Sequence, residues 1–546
     1  MQRFFNDAKR ILSHKWTGFV FIGVALGVKI SMQIYFFRII GDKSSQLVAA
    51  KNLLAGHGLT INKVLLTDLS AEKFFPLVGW PPGYSLVLSP LLWLFNNDYE
   101  TAALFFDIAC VIPFFFYLFR LLNYLSLQAW LRNLFILFAG FFFYPVGAET
   151  CTDFISLSCI LAGVYYFVRL MNDDKKSIWI ITAACISLSL AGIFRYNYIP
   201  VSLCFPALLG IAGIANKNKQ WIKYSFYTGI ILSILMLSLL AFQFYHTGSL
   251  VYLNSKETGF FPENLLEMYP IMPASFFDIQ TGLTVFTKIT GSDYTTNGNF
   301  LKYSSYILLL LLLTYSLFWI YNKKMILEKR TDSFAYLGIG ISAVTIILLF
   351  YLSVRNSSDL APFFPFWTYV QEYRYFVFII LFIQLATFVF LLNRYKQLSF
   401  FWKRIALLCT FLIFLQLFHK VYYVSKIMMN KKQSVYSRVL YKEETVSLIE
   451  LIKDIQNQNP GYEIIVASPQ HEICNYARLE NIKAAFIAFP FDPLQQITST
   501  VPSKILYIIP ASMVPYFNPL LSSTSLKHLG VVRNRYFYIH DVEKKQ

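Results

Sequence analysis

The chain has 546 residues, a formal net charge of +17, 56% hydrophobic and 18% aromatic residues, and only 14% charged residues. Soluble domains carry about 25% charged residues, and this chain holds many apolar runs of about 20 residues, the length that crosses a bilayer; a soluble globular protein is excluded and a polytopic α-helical membrane protein follows. The Lys and Arg residues sit in small clusters between apolar runs, with no basic stripe interleaved with stacking aromatics, so the charge is a topology signal and not a nucleic-acid surface.

Taken in chain order, "MQRFFNDAKRILSHK" is basic, leads into an apolar run and has no small-residue cleavage site after it, which reads as an uncleaved signal anchor. Apolar runs predict about eleven transmembrane helices, near residues 16–37, 100–121, 133–147, 152–170, 178–194, 199–215, 221–243, 301–321, 334–354, 375–392 and 405–425. The stretch "PPGYSLVLSPLLWLF" (81–95) is too short to span and predicts a re-entrant or interfacial helix. Alternate connections carry the cations: Lys9, Arg10 and Lys15; Arg120 and Arg132; Arg169, Lys175 and Lys176; Lys217, Lys219 and Lys223; Lys323 to Arg330; Arg394 to Arg404. By the positive-inside rule these face the cytoplasm, giving an N-in, C-out topology.

That topology places three large pieces outside: the first loop 38–99, a loop 244–300, and everything after residue 425. The expected division is a membrane domain over 1–425 and a small extracytoplasmic α/β domain over 426–546. In the latter, "KEETVSLIELIKDIQ" repeats apolar residues at helical spacing before Pro460-Gly461. "YEIIVAS", "KILYIIP" and "RYFYIHDV" read as short strands. The seven cysteines have no paired spacing, the seven histidines are scattered, and no HExxH occurs, so neither a disulfide framework nor a zinc motif is indicated.

The polar residues on the outer side are few, which makes each of them a candidate. Asp42 opens "GDKSSQLVAAKNLLAGHG" just after the first span; it reads as a cap of that helix, and a cap so held can also serve as a catalytic carboxylate. Glu149 and Asp153, four apart in "GAETCTDF", either favour a helix start through its dipole or point into the same polar cavity. Asp107 lies inside a span, where a carboxylate is costly and faces a cavity or a partner. Arg195 in "FRYNY" and Arg374 in "EYRYF" end spans on the outer side: they either snorkel to headgroups or clamp a phosphate, and Lys43 could join the clamp. His57 in "GHG" is assigned to the supporting polar cavity. "GWPPGYSLVLSPLL" offers a stiff backbone that shapes a groove.

These residues together resemble the GT-C superfamily of membrane glycosyltransferases, and more closely protein O-mannosyltransferases and lipid A aminoarabinose transferases. The likeness rests on an Asp just after the first span followed by a helix and "GHG", on the Pro-rich close "WPPGYSLVLSPL", on the acid in "GAET", and on "FRYNY"; it covers most of residues 1–400. The resemblance implies a sugar donor on a polyprenyl phosphate, an acceptor that is a lipid, glycan or protein, contact with membrane lipids, and a site on the extracytoplasmic side of a bacterial cell membrane. It implies Asp42 as general base with Glu149 as a second catalytic acid, inversion at the anomeric carbon, and Arg195, Arg374 and Lys43 near the donor phosphate, with Asp107, Asp153 and His57 in support. Many relatives carry a second acid where this chain has Lys43, which leaves use of a divalent metal open. A transporter or flippase of lipid-linked sugars, and an oligosaccharide ligase or polymerase, are the rival readings.

Overall fold

The structure is a computed structural model; it describes residues 15–39, 41–65, 68–77, 80–141, 151–173, 178–247, 290–291, 329–355, 377–386, 395, 398–429, 438–487, 499–521, 526–532 and 535–542. Its first part is a bundle of apolar helices. Helix α1 (Lys15–Tyr35) leads to α2 (Gly41–Leu54), a hairpin of β1 (Thr60–Leu65) and β2 (Asp68–Pro76), and the short α3 (Gly83–Leu94). Next come α4 (Tyr99–Ala109), α5 (Val111–Tyr124), α6 (Ala129–Ala139), α7 (Cys151–Asn172), α8 (Ile178–Phe194), α9 (Tyr198–Ala215) and α10 (Lys219–Thr247). Helices α11 (Lys329–Arg355), α12 (Val377–Ala386) and α13 (Phe400–Met429) complete the described apolar part.

Five of the described helical stretches are long and apolar enough to cross a membrane: Trp16–Tyr35, Tyr99–Tyr124, Thr152–Asn172, Tyr198–Ala215 and Lys219–His246. Shorter apolar helices fall at Ala129–Ala139, Ile178–Phe194, Asp332–Leu348 and Val377–Ala386, where the periodicity placed further spans. The expected span at 301–321 lies outside the described residues. Predicted as a short non-spanning helix, α3 has 12 residues. It begins right after Pro81-Pro82 because proline suits the first turn of a helix, where its missing N–H would have no partner anyway.

Between membrane helices lipid supplies no hydrophobic drive, so close packing and small residues do the work. Gly83 illustrates this: a Cβ at its position would meet the carbonyl oxygen of Ile193 at 2.6 Å. Only a glycine lets the start of α3 lie directly against the end of α8.

The C-terminal segment is α/β, as its strand-like runs predict. Helix α14 (Arg438–Gln458) precedes β3 (Glu463–Ser468), α15 (His471–Leu479), β4 (Ala484–Phe486), β5 (Ser503–Pro510), α16 (Val514–Leu521), β6 (Leu526–Val532) and β7 (Arg535–Val542). The sheet order is β4-β3-β5-β7-β6; β3 pairs in parallel with β4 and β5, while β7 runs antiparallel to β5 and β6. The near-continuous apolar runs of β3 and β5 follow from burial on both faces. Ile464, Val466, Leu506 and Ile508 pack against Leu448, Ile452 and Ile455 of α14.

The alternate residues Ile465, Ala467, Ile505 and Tyr507 form a second core with Val64 and Leu69. Those two side chains belong to the hairpin of the first loop. Each such buried aliphatic side chain contributes about 1.5–3 kcal/mol, so the loop and the C-terminal sheet are joined through shared core.

Candidate active site

Helix α2 holds the site's first acid. It begins at Gly41, whose φ of +47° lies in the left-handed region that a side chain resists. Asp42 is therefore the second residue of the helix and not its cap. A capping contact comes from elsewhere: the Gly41 N–H donates to Glu472 Oε1 at 3.3 Å. The Asp42 carboxylate instead takes Arg195 Nη1 on Oδ2 at 3.4 Å.

Arg195 follows the end of α8 and is 8% exposed. Its Nε donates to Asp153 Oδ1 at 2.6 Å. One guanidinium thus joins two carboxylates brought in by α2 and α7, its planar fork matching both. The triad carries a formal charge of −1, and its members differ in access: the Asp42 side chain is 25% exposed, Asp153 only 2%.

The next residue of α2 does something different. The Lys43 Nζ donates to Asp107 Oδ2 at 2.6 Å, and the two side chains are 2% and 0% exposed. Lys43 also lies over the Phe37 ring at 4.7 Å from its centroid, a favourable place for a desolvated cation. Tyr84 of α3 donates its hydroxyl to the other oxygen, Asp107 Oδ1, at 3.0 Å. Asp107 has its partners, as a carboxylate within a span requires. Lys43, expected beside a donor phosphate, is enclosed and already neutralises Asp107. Its position opens no face to a ligand.

The Pro-rich segment, read from sequence as backbone shaping alone, thus also supplies a polar group. Tyr84 sits one residue past Gly83, and a tyrosine placed at the mouth of a short buried helix was the signal available. Ser85 fastens the same turn to α2 by donating to the Gln46 carbonyl at 2.8 Å.

His57 does not reach the site. It is exposed beyond the far end of α2, about 20 Å from Asp42 at 1.5 Å per helical residue, and stacks on Phe74 with centroids 4.0 Å apart. The helix that fixes Asp42 carries His57 away from it. Glu149 and Arg374 lie outside the described residues.

Residues from the C-terminal segment complete the surroundings of α2, and the sequence alone gave no sign of them. Helix α15 runs beside α2 in the same direction: Glu472 meets Gly41, Asn475 meets Ser44 and Ser45, and the Arg478 and Leu479 carbonyls meet Lys51. Lys51 Nζ donates to those carbonyls at 2.8 and 2.7 Å, a cation at a helix C-terminus where the dipole favours it. Burial lowers the Lys51 ammonium from its ordinary value.

Among the described residues, no three of His, Cys, Asp and Glu lie together as a metal site would need. The carboxylates of Asp42, Asp153 and Asp107 each already face a cation.

No protein-family model and no curated protein matches the chain in sequence. Among solved structures it matches ArnT from Cupriavidus metallidurans bound to undecaprenyl phosphate. The TM-score is 0.51 at 10% identity, over 95% of this chain and 97% of that one. The apo form of the same protein gives a TM-score of 0.48 at 11% identity, over 96% and 98% of the two chains. At such identity the likeness is one of fold alone, and it is to a protein of the kind that the sequence resemblance named.

Proposed function

We propose that this chain is a membrane glycosyltransferase that moves a sugar from a polyprenyl-phosphate donor to an acceptor hydroxyl or amine. The observation that carries the reading is the unequal access of the three described site acids. Asp42 is 25% exposed while Asp153 and Asp107 are 2% and 0% exposed, and this arrangement sits in a GT-C-like fold. A general base must come within hydrogen-bond reach of the proton it removes, and of the three only Asp42 offers that reach.

In the proposed step Asp42 takes the acceptor proton. The acceptor heteroatom forms its bond to the anomeric carbon on one face, and the bond from that carbon to the phosphate oxygen breaks on the other. Polyprenyl phosphate leaves and the anomeric centre is inverted. Arg195 holds the Asp42 carboxylate in one orientation against Asp153, so no reorganisation is needed as charge moves. Arg374 and Glu149, from loops on the same side by the charge pattern, are proposed to contribute the cation for the leaving phosphate and a second acid. The distribution of basic clusters supports an extracytoplasmic face for this chemistry.

The test is mass spectrometry of glycolipids and surface glycans from cells lacking the protein, then from cells complemented with wild-type or Asp42→Asn chains. A residue lost on deletion, restored by wild type and not by Asp42→Asn, is the expected outcome. An unchanged glycan profile, or full restoration by Asp42→Asn, sinks the proposal. Movement of a lipid-linked sugar across the bilayer with no new glycosidic bond would turn the reading to a transporter.

A further inference from the structure

Resting on that reading, we propose that Glu472 and Asn475 of the C-terminal segment are positioning residues for Asp42. Through them the C-terminal segment is a working part of the active site. Helix α2 is weakly determined at its own N-terminus. The first residue, Gly41, has a positive φ and no side chain, so neither a capping side chain nor a stiff backbone at that residue fixes the first turn. Glycine is the residue that loses most conformational freedom on ordering. Yet the next residue is the acid whose direction matters.

The constraint comes from 431 residues away. Glu472 Oε1 accepts from the Gly41 N–H at 3.3 Å. Glu472 also lies in the first turn of α15, so one carboxylate serves the positive ends of two helices running side by side. One turn further on, Asn475 Nδ2 donates to Ser44 Oγ at 2.9 Å and to Ser45 Oγ at 3.0 Å. Its orientation is set by Arg478, whose Nη1 donates to Asn475 Oδ1 at 2.7 Å, which leaves the amide N–H groups turned toward α2. Tyr476 donates to the Ile39 carbonyl at 2.7 Å and holds the chain just before the helix. Asn475, Arg478 and Ser44 are 2%, 3% and 0% exposed. The Ile39 carbonyl, the Gly41 N–H and the Ser44 and Ser45 hydroxyls are all held from α15, which brackets Asp42 on both sides.

The experiment uses the full-length protein in nanodiscs and compares Glu472→Ala, Glu472→Gln and Asn475→Ala with wild type. A control, Lys483→Ala, removes the Lys483–Glu463 pair beside the C-terminal sheet, away from α2. Three quantities are read: amide hydrogen exchange over residues 41–46, affinity for undecaprenyl phosphate, and the amount of glycosylated product in complemented cells. Glu472→Ala and Asn475→Ala are expected to speed exchange over 41–46 and to cut product about tenfold, the effect of one hydrogen bond to a charged or buried group. Undecaprenyl phosphate affinity should stay within about twofold. The β3 and β5 amides should stay protected, which separates positioning from unfolding. Glu472→Gln retains an acceptor oxygen and should recover most of the product; Lys483→Ala should match wild type.

Unchanged exchange over 41–46 in Glu472→Ala overturns the proposal whatever the chemistry of the protein. So does faster exchange with full product, or product loss accompanied by exposed β3 and β5 amides. Failure of the glycosyltransferase reading would appear separately, as a glycan profile that Asp42→Asn leaves intact.

Discussion

Asp42 and Lys43 are consecutive residues of one helix, and their surroundings are opposite. Asp42 is a quarter exposed and shares Arg195 with Asp153. Lys43 is enclosed over the Phe37 ring and paired with Asp107, whose other oxygen accepts from the Tyr84 hydroxyl. Successive helical residues point about 100° apart, so α2 can place one charge in a dry pair and the next at an opening. A fully enclosed ion pair adds little net stability but is expensive to break; a half-open carboxylate stays within reach of groups outside the fold. The Lys43–Asp107 pair holds the helix in register, and on the proposed reading Asp42 acts from that register.

Each side of this contrast can be broken. The largest effect is expected at the open side: Asp42→Asn should lower transfer on the order of 10³-fold, with the folded protein recovered in normal amount. Retained transfer would show that openness does not mark the base. At the dry side, Lys43→Met should lower stability by about 3–5 kcal/mol, because Asp107 is left buried without its cation. Thermal unfolding in detergent measures it, and the double change Lys43→Met with Asp107→Leu should recover most of the loss. A single variant as stable as wild type would mean the pair is not dry.

Tyr84→Phe tests the edge of the dry pair. Losing the hydroxyl leaves Asp107 Oδ1 short of a donor at a cost of about 1–2 kcal/mol, read by the same unfolding assay. The smallest effect is expected at His57→Ala, about 0.5–1 kcal/mol for a lost ring stack, with transfer within about twofold of wild type. A larger drop in transfer would return His57 to the site from which α2 removes it.

What could be read in the sequence was whatever is local in the chain. Apolar runs marked the helices, the Pro-rich entry marked α3, and "EIIVAS" and "KILYIIP" marked strands because both faces of their sheet are buried. Asp42 stood out because it is an acid beside a span, and Arg195 because it is a cation on the cation-poor side. The hairpin of β1 and β2 was missed: its turn-flanking strands carry Asn62, Lys63, Glu72 and Lys73, and among its described side chains Val64 and Leu69 are the ones buried in the C-terminal sheet's core.

Distance along the chain explains the remaining misses. Lys43 reads as a free cation until its partner, 64 residues on, is known to face it. Asp42 reads as an N-cap until Glu472 is found to accept from Gly41. Pairings of this kind leave no trace in spacing, since neither partner disturbs the periodicity of its own helix.

The 431-residue separation of Ser44 and Asn475 also sets an order of assembly. Chains are made at about 5–20 residues per second, so α2 waits roughly 20–90 s for α15 to be synthesised. Until then the first loop has neither the carboxylate at Gly41 nor the sheet that receives Val64 and Leu69. A chain interrupted before residue 471 would carry Asp42 and Arg195 without the brace between Gly41 and Glu472. The long-range contact is thus a device of biogenesis: the brace is complete only once the whole polypeptide through α15 has been made.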